Sequence, residues 1–351
     1  MRKGQLMMDK NQLFEHAYGC LLGVACGDAM GMPTSLWSPE QIKAVFPKRI
    51  TGFHPAPKGH IIHNGMAAGQ ITDDTQQTLL LADLILEEGR FSKEGVARKL
   101  LEWAESLKAF ESLLLGPSSL RALKLIKDGV PLDKTGFLGD TNGAAMRISP
   151  VGIMHPGDYD GVIEDVVEVC IPTHNTNIAI AGASGVACVI SAGMTNCSVD
   201  TLIEAFHYGV NKGMQRGNPY YSASIIHRTE WALELIKSGK PEEAIWQDLY
   251  NYIGAGVAMS ECIPTALALV VYYEGDPIRT IEAAVNMGGD CDTVAAIAGS
   301  MAGAYSGINA FPEEIGEKIE EVNSIDLKKY AWGLTNAIVS AYQDQVEARV
   351  E

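Results

Sequence analysis

Apolar residues along this chain recur at helical spacing almost throughout. Phe14, Ala17, Tyr18, Leu21, Leu22 and Ala25 follow the three- and four-residue steps of one helix face. Thr72 stands where a cap belongs, ahead of a leucine-rich run that continues to about Glu88 and meets a stop at Gly89. Ser92 opens another run carrying Val96, Leu100, Leu101, Trp103 and Ala104. Pro117, Ser198, Pro219, Pro241, Pro277 and Pro312 each sit where a helix can begin, because proline in a first turn forfeits no hydrogen bond. These signals predict roughly a dozen helices of ordinary length. Residues 49–53 are the only weak strand candidate, so the predicted class is all-α.

No proline- or serine-rich linker, charge block or solenoid repeat divides the 351 residues. We therefore expect a poorly ordered tail over residues 1–10 and a single domain over 11–351. Residues 51–69 form the longest irregular stretch. Its His54, His60 and His63 lack ligand spacing and are given no role. Glycines such as Gly182, Gly185, Gly299 and Gly303 fall inside apolar helical runs, where each costs about 1 kcal/mol against alanine. They make sense where helix backbones approach closely.

Charge narrows the partners. With 27 basic and 43 acidic side chains the net charge is −16, a field that repels nucleic acid and anionic lipid. Seven cysteines without a CxxC pair or zinc-like spacing, together with an N-terminus lacking an apolar signal core, predict a reducing, cytoplasmic setting. Residues 169–199 carry no charge and are long enough to span a bilayer. However, ten of the seventeen residues from 178 to 194 are Ala, Gly or Ser, and no basic cluster flanks the run. A buried helix is the better reading.

Two acidic clusters carry the candidate chemistry: Thr72-Asp73-Asp74-Thr75 and Gly288-Gly289-Asp290-Cys291-Asp292-Thr293. Either alone reads as helix capping, since first-turn carboxylates complement the helix dipole. Together they read differently. Asp290 and Asp292 are about 200° apart on a helix, so they converge only if the Gly-Gly turn aims them. Four carboxylates without basic neighbours repel one another unless a cation neutralises them, and all-oxygen donors suit Mg²⁺ or Mn²⁺ rather than zinc.

Gly27-Asp28-Ala29-Met30-Gly31, Ile71-Thr72-Asp73-Asp74-Thr75, Asn142-Gly143-Ala144-Ala145-Met146-Arg147, Thr173-His174-Asn175 and the Gly288-to-Thr293 motif occur in that order. The series resembles the ADP-ribosylglycohydrolase family, over about residues 11–340. The resemblance implies an all-α orthogonal bundle with a binuclear site at one end for two Mg²⁺ (or Mn²⁺) ions. Its ligands would be Thr72, Asp73, Asp74, Asp290, Asp292 and Thr293. The Asn142-Gly143 turn, His174, Gly288 and Gly289 would border the substrate. Several family members carry a glutamate shortly after the Gly-Asp-Ala motif; here Ser35 takes that place, in a loop whose Trp37 is either a platform for a base or core. Asp292 or Asp140 is then the expected general acid, and the four metal-holding carboxylates can relay protons as bases. Asp28 is expected to hold loop amides, and Arg147 to pair with a buried carboxylate.

The implied activity is metal-dependent hydrolysis of the glycosidic bond at the ribose anomeric carbon of an ADP-ribosyl group, on a protein or small molecule. The alternatives are a nucleoside-type ribosyl hydrolase and a non-catalytic, crystallin-like relative. Terpene synthases do not fit, because the first cluster lacks a third acid. The folds of metal-dependent glycosyltransferases need strand alternation that is absent here. No Walker, GxGxxG, GxSxG or HExxH sequence occurs.

Overall fold

The computed structural model describes residues 9–347, and the predicted tail lies mostly outside them; Asp9 caps the first helix and Lys10 begins it. Seventeen α-helices and no strand occur among the described residues, so the class is all-α. The extra helices are mainly short ones, such as Leu132–Thr135 and Ser149–Met154, too brief to show a period. Residues 49–53 form no strand: the Ile50 backbone pairs with the Asn286 side chain instead.

The centre is an antiparallel pair, the first helix Lys10–Gly31 against Cys291–Ser306. Gly19, Gly23, Gly27 and Gly31, four residues apart, form one edge of the first helix. A Cβ at Gly19 would reach within 2.5 Å of the Gly303 carbonyl, and one at Gly23 or Gly27 would collide with the Gly299 or Ala295 carbonyl. Backbones can meet this closely only without side chains between them, as the glycine pattern implied. At the end of the pair Gly31 lies against the Cα of Asp292. The packing therefore sets where Asp28 and Asp292 stand.

The uncharged run covers the last turns of the helix Tyr159–His174 and the whole of Asn177–Gly193, broken at Asn175 and Thr176. The second is buried from Ile178 to Gly193. No helix among the described residues is long and apolar enough to cross a membrane. Pro219 begins no helix; the next one starts at Ile225, capped by Ser224. Pro172 and Pro264 lie inside helices, which the sequence rules had not anticipated.

Candidate active site

The Asp73–Glu88 helix begins as its sequence predicts and ends at Gly89, whose φ of 70° is the left-handed stop. Its Thr72 does not cap it with a side-chain bond. Instead the Thr72 hydroxyl donates to Asp28 Oδ1 at 2.7 Å, with Asp74 Oδ2 3.2 Å away. Asp28 also accepts from the backbone N–H groups of Thr72 and Thr75 and from the Thr75 hydroxyl. It thus holds loop amides, as expected, and ties the first helix to the first acidic cluster.

The second cluster follows a turn only glycine allows, with φ near 90° at Gly288 and 80° at Gly289. Gly289 pairs with the Ser35 loop: Leu36 N–H donates to its carbonyl at 2.7 Å, and its own N–H donates to Trp37 at 2.8 Å. Asp290 then caps the Cys291–Ser306 helix and Asp292 lies in its first turn. Asn142 Nδ2 donates to Asp290 Oδ2 at 2.6 Å, and Ser35 Oγ donates to Asp292 Oδ1 at 2.7 Å. The two clusters meet directly, with the Thr293 hydroxyl 3.5 Å from Asp74 Oδ2.

Asp73, Asp74, Asp290, Asp292 and Thr293 line one cleft of about 490 Å³, together with Ser35, Asn142 and Gly143. Its opposite walls are aliphatic, from Ile61, Leu113 to Leu115, Leu120 and Val257, and no Lys or Arg borders it. Six expected residues stand behind the lining, Thr72 among them, its hydroxyl turned to Asp28. Gly288 and Gly289 shape the turn, and Trp37 is half-buried with its ring 5.4 Å from that of His60. Asp140 does not line the cleft; its backbone carbonyl accepts from Met259 N–H. His174 is fully buried beneath Gly143.

Arg147 departs from expectation. Fully buried, it finds no carboxylate and donates instead to Gln77 at 2.8 Å and to the Thr173 hydroxyl at 2.6 Å. That hydroxyl also lies 2.7 Å from His174 Nδ1, and His174 Nε2 lies 3.2 Å from Thr141 Oγ1. His174 is therefore a neutral prop for Thr141, which does line the cleft. Burial, then the nearby Arg147 and Arg121 charges, hold its pKa well below the usual range.

His63 is the functional neighbour that sequence reasoning missed. Its Nε2 lies 3.3 Å from Asp292 Oδ2, and the ring borders the cleft. The only signal was its place in the longest irregular loop.

The electrostatics are those of crowded acids. Burial, then the Asp28 and Asp292 charges, pushes Asp73 up to about 7. Burial and Asp292 push Asp290 up to about 8, and Asp74 is raised by burial and by Asp28 and Asp73. Burial also works to raise Asp292, but His63, Ser35 and the Thr293 amide hold it below the usual carboxylate range. Asp74 Oδ1 is buried with no hydrogen-bond partner. Such oxygens, unpaired and reluctant to ionise together, fit the donor chemistry of a hard cation. Among the described residues no group of three or more His, Cys, Asp or Glu side chains is gathered as a ready-made ion site. The donors share one cleft without closing a coordination shell.

Comparison with known proteins agrees with this architecture. The ADP-ribosylglycohydrolase family model matches residues 9–347. An uncharacterized protein of Escherichia coli K12, YegU, is 37% identical over 95% of this chain and 99% of its own. The ADP-ribosylarginine hydrolase Tri1 of Pseudomonas putida is 25% identical over 88% of this chain and 75% of its own. A solved structure, an ADP-ribosylglycohydrolase-related protein complex, superposes with a TM-score of 0.67 at 21% identity, covering 93% of this chain and 99% of that one.

Proposed function

The chain belongs to the ADP-ribosylglycohydrolase family, and on that premise we propose that it hydrolyses the glycosidic bond between the ribose anomeric carbon of an ADP-ribosyl group and a protein or small-molecule acceptor, with two Mg²⁺ or Mn²⁺ ions as cofactors. Family membership supports hydrolysis of ADP-ribosyl linkages. The observation that carries the metal reading is the convergence of Asp73, Asp74, Asp290 and Asp292 on one cleft, with Asp74 Oδ1 unpaired.

Asp73, Asp74, Asp290 and Asp292 would hold the cations, with the Thr72 and Thr293 hydroxyls. A hydroxyl that donates its proton to Asp28 keeps its lone pairs for a cation. When bound, the ions supply Lewis acidity toward the ribose diol and the attacking water. The chain's own groups do the rest. Asn142 holds Asp290 by a 2.6 Å bond, and Ser35 and the Thr293 amide fix Asp292. Asp292 lines the cleft and would take a proton from water, while Asp140, the other candidate for the general acid, does not line it.

A second reading, a nucleoside-type hydrolase, is favoured by one observation: no cationic side chain borders the cleft to meet a pyrophosphate. On the main reading that role falls to backbone N–H groups where Gly116 and Ser119 border the cleft, at the start of the Pro117–Lys127 helix. A substrate panel separates the two. ADP-ribosyl-arginine, ADP-ribosyl-serine, O-acetyl-ADP-ribose and free nucleosides are incubated with the protein and Mg²⁺, and products are identified by mass spectrometry. The main reading predicts free ADP-ribose from at least one of the first three. Turnover of nucleosides alone would replace it with the second.

A further inference from the structure

The irregular loop over residues 51–69 reaches the acids through two histidines that the mechanism so far leaves unused. Three rings stack in series: Trp37 on His60 at 5.4 Å and His60 on His63 at 5.1 Å, each pair tilted by 25°. His60 Nδ1 accepts the backbone N–H groups of Ile62 and His63, at 3.3 and 3.0 Å. Its proton therefore sits on Nε2 and is donated to the Ser35 carbonyl at 3.1 Å. His60 thus grips the loop whose Ser35 hydroxyl holds Asp292 Oδ1, while His63 holds Asp292 Oδ2. The circuit closes through Gly289, which pairs with Leu36 and Trp37 and lies three residues before Asp292. Leu36 is kept at a φ of 61° within it, a conformation a leucine adopts only when its surroundings impose it.

We propose that His63, seated by the Trp37–His60 stack, is a positioning residue that orients Asp292 for the divalent cation, the task for which this chain has Ser35 and no glutamate in the preceding loop. The inference rests on the metal reading above. A carboxylate ligand whose two oxygens are each held by a side chain has its plane fixed before the ion arrives. Oδ2, which accepts from His63 alone, keeps a lone pair to offer the ion, while Oδ1 already accepts from Ser35 and the Thr293 amide. Partners of this kind behind metal ligands are worth about 10–100-fold in metal affinity. The competing account is that the histidines only pin a surface loop, and that account moves stability without moving affinity.

The test is a Mn²⁺ titration of the full chain by calorimetry, beside its melting temperature in chelator. His63→Ala should weaken Mn²⁺ binding about 10–100-fold. His63→Gln, whose amide nitrogen restores a donor near Nε2, should recover most of the loss. If His63→Ala does not fold, His63→Phe keeps an aromatic ring in the stack and removes both ring nitrogens, of which only Nε2 has a partner, with the same loss expected. A variant that melts earlier in chelator yet binds Mn²⁺ as the wild type does would overturn the inference and leave the metal reading standing. A wild-type chain that binds no Mn²⁺ would overturn the metal reading, and this inference with it.

Discussion

Asp28 shows how one residue joins fold to site. Its carboxylate accepts two backbone and two hydroxyl donors from Thr72 and Thr75, all of them buried. Asp28→Asn turns one acceptor oxygen into a donor facing other donors. We expect a loss of about 1–3 kcal/mol for each donor left unpaired, read by urea denaturation. Asp292→Asn should behave in the opposite way, abolishing turnover while the circular dichroism spectrum stays helical. A mere first-turn carboxylate would cost only about 1 kcal/mol of stability and no activity. At this scale the acids were legible in the sequence because each cluster is a contiguous motif. His63 was not, since its partner Asp292 is 229 residues away and an irregular loop has no period to read. Arg147 was misjudged for a related reason: its neutral partners Gln77 and Thr173 are set by two helices meeting over the turn that carries it, which no local pattern encodes.

The elements were largely readable where a helix is long and amphipathic or ends in a recognisable signal. The Asp73–Glu88 helix has both bounds foreseen, Thr72 before it and Gly89 after it. Pro219 misled, because the stretch from it to Ser224 stays irregular and the cap at Ser224 starts the helix instead. Residues 49–53 misled through β-compatible residues whose backbone is satisfied by a side chain, Asn286. The close pair of Lys10–Gly31 with Cys291–Ser306 yields the strongest prediction here. Gly23→Ala places a methyl group into the Gly299 backbone, and the helices must separate. Overpacking of this kind costs about 1–3 kcal/mol, occasionally more, by denaturant unfolding. Gly89→Ala, where only the left-handed φ of 70° resists and no atom lies within 4 Å, should cost about 1–2 kcal/mol. Only the Gly23 change should also weaken Mn²⁺ binding, because the same helix pair carries Asp28 and Asp292.

For the whole molecule, helical periodicity alone gave the all-α class, but the meeting of two clusters more than 200 residues apart came from the resemblance and from the coordinates. A chain of net charge −16 that gathers four carboxylates in one cleft is under electrostatic strain until a cation arrives. Mg²⁺ or Mn²⁺ at a hundred times its dissociation constant should therefore stabilise the fold by about 2.7 kcal/mol, seen as a rise in melting temperature. The most direct measurement of the central claim is release of ADP-ribose from an ADP-ribosylated substrate, followed by mass spectrometry first in EDTA and then after Mg²⁺ or Mn²⁺ is added in excess. The account predicts no release in chelator and recovery on adding the ion, with Asp292→Asn silent in both. Full release in EDTA would contradict it.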